Sequence, residues 1–145
     1  MVMESRYLEE TVNELQSRIS MINSAINELR VSNVTLEGLE KEKKGSQLFV
    51  PIGGGSYVKA KLVTAKKVVV GIGADVAVEK TVKETKVDLE NRIKDMEKTR
   101  EALGQQLNQV IGRIQENRAK LEEVSAKLRE DGVNPSGVRE AKKRA

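Results

Sequence analysis

The sequence predicts an α+β protein, mostly α: a long antiparallel two-helix coiled coil with two β-hairpins inserted at the helix-proximal end, where the helices join. Three observations carry this. Apolar residues recur at alternating spacings of four and three near the N-terminus, and the same pattern returns after residue 79. Between the two lies QLFVPIGGGSYVKAKLVTAKKVVVGIGADVAV, Gln47 to Val78, which is rich in Val and Ile and punctuated by glycines. An insert of 32 residues between two long helices turns the chain back on itself, so the helices must run antiparallel.

Composition agrees. Of 145 residues, 33% are charged and only 2% aromatic, namely Tyr7, Phe49 and Tyr57. That is poor material for a compact globule and good material for helices that need two or three apolar positions per heptad. We expect a single domain over 1–131, with a helix near 3–44, a double hairpin near 47–78, a helix near 79–131 and a basic, disordered tail at 132–145.

The first helix is set by Leu8, Val12, Leu15, Ile19, Ile22, Ile26 and Leu29, seven consecutive seam positions filled by aliphatics. The seam continues less cleanly through Asn33 and Leu36, and the helix is expected to close near Lys44-Gly45, with lysines in its last turn and Gly45 as the cap. In the insert, Leu48, Val50 and Ile52 alternate to one face, as do Val58, Ala60 and Leu62. Gly53-Gly54-Gly55 joins these two strands. Val68, Val70 and Ile72 form a third strand, Gly73-Ala74-Asp75 a second turn, and Val76 and Val78 a fourth strand. Phe49, Val63 and Val69 make the other face partly apolar. Four short strands with open edges are not stable alone, which marks the insert as an assembly module that pairs with copies of itself or a relative.

The second seam runs through Val82, Leu89, Ile93, Met96, Leu103, Leu107, Val110, Ile114, Leu121, Val124 and Leu128, interrupted by Lys86, Arg100 and Asn117. Asn134-Pro135 forbids continuation. Antiparallel packing sets each seam position against one on the other helix. The register that places polar Ser5 against Asn117 also places Leu8 against Ile114, Leu29 against Ile93, Ile22 against Arg100 and Leu36 against Lys86, and brings Lys43 to Glu79. A shift of one heptad sets Asn117 against Val12 instead. In the preferred register Leu121 meets Met1, and nothing is left to cover Val124 and Leu128. An apolar overhang beside Met1, Val2, Met3 and Tyr7 is therefore expected, a surface suited to adaptable binding.

Much chemistry is excluded. With no Cys and no His, disulfides, thiolate nucleophiles and an imidazole base are absent, and no cofactor or metal site is expected. No glycine is followed by lysine and the triple glycine joins two strands, so turn glycines explain it better than a phosphate loop. Glu122-Glu123 reads as hydrated helix surface, and an enzyme is the least supported class. Of the net charge of +4, the tail holds +3, as Arg139, Lys142, Lys143 and Arg144 against Glu140. The body makes no strong demand for nucleic acid, and Lys59, Lys61, Lys66 and Lys67 suit a solvent face and strand edge. Neither a membrane span nor a signal peptide is apparent, so a soluble, cytoplasmic chain without membrane partners is expected.

The two terminal coiled-coil helices, the two-hairpin insert and the strand segments LFVPIGGGSYVKAKL and KVVVGIGADVAVEKT together resemble prefoldin, specifically its alpha-type subunit as found in archaea. The likeness covers residues 1–130 or so. Beta-type subunits carry one hairpin, and this insert holds two. The resemblance implies a hexamer of two alpha-type and four beta-type subunits, whose hairpins form an intersubunit β-barrel platform with helix pairs hanging from it. It implies a chaperone that holds unfolded polypeptides at the coiled-coil tips without ATP and passes them to a group II chaperonin. On this sequence the assembly residues would be Leu48, Val50, Ile52, Val58, Leu62, Val68, Val70, Ile72, Val76 and Val78. The client-binding residues would be Met1, Val2, Met3, Tyr7, Leu8, Leu121, Val124 and Leu128. The competing reading is a coiled-coil scaffold whose tip docks one folded partner.

Overall fold

A computed structural model of the chain describes residues 2–131; Met1 and the basic tail lie outside the described residues. The order of elements is α1 (Val2–Glu40), β1 (Gln47–Gly53), β2 (Ser56–Lys61), β3 (Lys67–Gly73), β4 (Val76–Thr81) and α2 (Val82–Glu130). The chain divides into two units, Met1–Ser20 with Glu101–Ala145 and Met21–Arg100. We call the first the terminal unit and the second the hairpin unit.

Both helices follow the heptads that predict them. In α1 every seam position from Leu8 to Leu36 is buried or half-buried, and Leu8, Leu15, Ile26 and Leu36 are nearly inaccessible. In α2 the eleven seam positions from Val82 to Asn117 are buried or half-buried as well. With charged residues between them, these helices gain little from intrinsic propensity and owe their stability to burial along one stripe.

Polar contacts fix the register within the hairpin unit. Arg100 donates to Asn23 Oδ1 at 3.0 Å, Arg30 meets Glu97 at 2.7 Å, and Lys86 lies 3.3 Å from Glu40 and 3.7 Å from Glu37. Partners that climb one helix as they descend the other require antiparallel packing. Asn23 and Glu37 are neighbours of Ile22 and Leu36, the residues expected opposite Arg100 and Lys86, whereas Glu40–Lys86 and Arg30–Glu97 fall between that register and the one shifted by a heptad. Lys43 and Glu79 lie outside both helices and carry no register information.

The helix ends differ from expectation for local reasons. α1 stops at Glu40, before its lysines, and two tight turns follow, with Glu42 N–H donating to Leu39 and Ser46 N–H to Lys43. Gly45 does take a left-handed φ of 85°, but within the second of these turns and not directly behind the helix. α2 starts at Val82, not Glu79, because β4 continues to Thr81. Thr81 is also the cap: its hydroxyl accepts from Glu84 N–H at 3.1 Å, and its carbonyl accepts from the Thr85 hydroxyl at 2.9 Å. The sequence Thr81-Val82-Lys83-Glu84 has the spacing of a capping box.

The insert forms two separate two-stranded antiparallel sheets, β1 with β2 and β3 with β4. Val50 faces Val58 in the first and Val70 faces Val78 in the second, and each ladder shifts register just before its turn. Both turns hold their two central residues at positive φ, Gly54 and Gly55 in one, Ala74 (50°) and Asp75 (59°) in the other. This is the primed geometry that matches strand twist, which glycine accepts freely and alanine does not. Backbone bonds from Gly45 to Leu62, from Leu62 to Ser46 and from Val82 to Lys66 tie the ends of the hairpins to the chain entering and leaving the helices.

Two outcomes follow from this local chemistry. Thr81→Ala should lower stability by about 1 kcal/mol in thermal unfolding followed by circular dichroism, and Thr81→Ser should restore it. Replacing Ala74-Asp75 by Asn-Gly should raise stability by about 1 kcal/mol by removing left-handed strain from two side chains.

Candidate functional site: an uncovered seam and two exposed sheets

Two apolar surfaces stand out, one in each unit. In the terminal unit α2 passes from a covered to an uncovered seam. Through Asn117 each seam position is at least half-buried; beyond it Leu121 is 37% exposed, Val124 48% and Leu128 40%. On α1, Val2, Met3 and Tyr7 are more exposed still. Leu8 departs from the expected site: at 5% exposure it is a closed seam residue, since at this point α2 still supplies cover. Met1, also expected there, lies outside the described residues.

The chemistry of this patch is purely apolar contact. Among its flanking charges, Lys127 pairs with Glu123 of the same helix at 3.7 Å. This exposed pair contributes little to stability and leaves the aliphatic stripe unobstructed.

In the hairpin unit the expected assembly residues divide. Leu48, Leu62, Val68, Val70 and Val78 are half-buried, whereas Val50, Ile52, Val58, Ile72 and Val76 are 46–65% exposed. The opposite faces expose Phe49, Tyr57 and Val69 at 63%, 63% and 74%. Val50 and Val58 form a cross-strand pair with nothing above it, and among the described residues each hairpin keeps one unpaired edge on both of its strands. Sheets with two apolar faces and open edges are unfinished surfaces, completed by further strands. Tyr57, which the sequence marks only as one of three aromatics and not as an assembly residue, pairs with Pro51 near the turn and is exposed.

Lysines and mixed polar groups line a broad recess of about 850 Å³ where the loop between the hairpins meets the helix ends, including Lys44, Lys66 and Lys83 beside Val63 and Ala65. Glu40 and Glu42 line it as well. Among the described residues no cluster of three potential metal ligands occurs, and no helix is long and apolar enough to cross a membrane.

Known proteins with these features are consistent in kind. The profile of the prefoldin subunit family matches residues 8–127. Prefoldin subunit alpha of Methanococcus vannielii is 30% identical over 126 residues, covering 87% of this chain and 84% of that protein. The Methanococcus aeolicus prefoldin subunit alpha is 33% identical over 119 residues, covering 82% and 76%. Among solved structures, a filamentous PFD from Methanocaldococcus jannaschii superposes with a TM-score of 0.74 at 26% identity, over 83% of this chain and 99% of that one. Helix seam, double hairpin and matched length thus converge: this chain belongs to the prefoldin subunit family, a family of chaperone subunits, and the relatives it matches are of the alpha type.

Proposed function

We propose that the chain is the alpha-type subunit of an ATP-independent holdase, in which its hairpins join those of beta-type subunits in an α2β4 hexamer. Its helix tips then capture unfolded polypeptides for delivery to a group II chaperonin. The observation that carries this reading is the seam of α2, which is covered for eleven consecutive positions and then uncovered at Leu121, Val124 and Leu128. Burying one such side chain against a client contributes about 1.5–3 kcal/mol. That is weak for one contact and adequate when several tips act on one chain. Apolar contact without hydrogen-bond geometry selects for exposed hydrophobic residues and not for a sequence, as a holdase requires. Nothing in this mechanism consumes nucleotide.

A second assembly mode has its own support. The structural relative from Methanocaldococcus jannaschii is filamentous, and the open edges and apolar faces of these hairpins suit copies of the same chain as well as a beta-type partner. Light scattering after size exclusion, with the chain alone and mixed with a beta-type subunit, distinguishes a growing polymer from a closed hexamer. In either case Val50→Asp, which places a carboxylate on the exposed Val50–Val58 pair, should abolish assembly while the helical circular dichroism of the chain is retained.

The holdase reading is tested by diluting a denatured protein into the assembled complex without nucleotide and following turbidity. Wild type should suppress aggregation, and a Val124→Ser, Leu128→Ser variant should do so roughly tenfold less well, with assembly intact. No suppression by wild type favours a scaffold that docks one folded partner.

A further inference from the structure

The helix pair of the terminal unit carries two glycines that its packing does not require. Gly104 and Gly112 lie in the interior of α2, where glycine weakens a helix more than any residue except proline. Both are half-buried, yet a β-carbon added at either meets nothing within 4 Å. Neither takes a positive φ. Close packing and backbone strain, the usual reasons for such glycines, are therefore both missing.

Other features of the same unit point the same way. Each polar contact between α1 and α2 among the described residues falls in the hairpin unit; those in the terminal unit join residues of a single helix. Leu8 and Leu15 are its only described side chains that are nearly inaccessible. Asn117, in the last covered layer, has a buried amide nitrogen without a partner, as Asn33 of the hairpin unit has a buried amide oxygen without one; at Asn117 the cost falls where the seam runs out and no interhelical ion pair among the described residues offsets it.

We propose that Gly104 and Gly112 hold the terminal helix pair close to local opening, so that covered seam residues such as Leu8, Leu15, Leu107 and Ile114 join Leu121, Val124 and Leu128 in contacting a client. The apolar surface offered is then set by an equilibrium and grows with the demand of the bound chain, since a client that binds the open pair shifts the population toward it. This inference rests on the holdase reading, and extends it from a fixed patch to an adjustable one.

Hydrogen exchange on the assembled complex without client reads the opening directly. Wild-type amides of residues 8–20 and 101–117 should exchange faster than those of helix residues in the hairpin unit. Gly104→Ala with Gly112→Ala should slow them roughly 10- to 30-fold, and Asn117→Leu should slow them independently. Both variants should hold a permanently unfolded probe, reduced and carboxymethylated α-lactalbumin, several-fold more weakly than wild type while Leu121, Val124 and Leu128 are untouched. Equal exchange in the two units, exchange unmoved by the alanines, or slower exchange with undiminished capture each overturns the proposal. So does loss of assembly in the alanine variant, which would mean that a neighbouring subunit approaches these glycines. Capture lost on Val124→Ser, Leu128→Ser but kept by the alanine variant discards the adjustable surface and retains the holdase.

Discussion

Among the described residues the 39-residue α1 covers the seam of the 49-residue α2 only as far as Asn117. Most of what distinguishes this protein depends on that limit. Along the shared length each aliphatic has a partner stripe, and burial offsets the entropy of ordering two highly charged helices. Beyond it the heptad continues without cover, and the same Leu-Val-Leu pattern that stabilises the pair becomes a surface. Covered core and exposed stripe are thus one periodic sequence feature, which loses its cover beyond Asn117.

The polar residues placed in the seam act differently from the aliphatics. Lys86 retains 23% of its side-chain exposure and reaches two carboxylates, and Arg100 finds the Asn23 carbonyl. Partly exposed pairs of this sort add little net stability. Their effect is on register: sliding the helices by a heptad would bring Arg100 to Leu29 and Lys86 to Lys43, leaving both cations without these acceptors. Asn117 has no such answer. Asn33 in the hairpin unit likewise keeps a buried side-chain oxygen without a partner, so the seam's asparagines weaken the closed pair while its two cations specify the alignment.

The hairpins show a similar division between closure and incompleteness. Their ladders are aligned by Val50–Val58 and Val70–Val78 and their ends are tied to the helix entries. Their faces are left open, with Phe49, Tyr57 and Val69 more than 60% exposed. A two-stranded sheet cannot bury both of its faces by itself, so the insert, like the exposed end of the α2 seam, is left incomplete in the single chain.

Heptad spacing determined the two helices and their seam positions, from Leu8 to Leu36 and from Val82 to Leu128, because a seam residue is recognisable by its period regardless of what faces it; the insert between them determined their antiparallel course. Strand alternation and glycine turns likewise determined the two hairpins. The helix ends were less legible. The capping signal Thr81-x-x-Glu84 was present, but β4 and α2 share that threonine, and only hydrogen bonds decide which element claims it. Tertiary structure also decided where the seam closes. Leu8 carries the same chemical label as Leu121 and Leu128, yet it is 5% exposed and they are 37% and 40%. Exposure depends on what lies across the gap, a relation between segments a hundred residues apart that no local pattern contains.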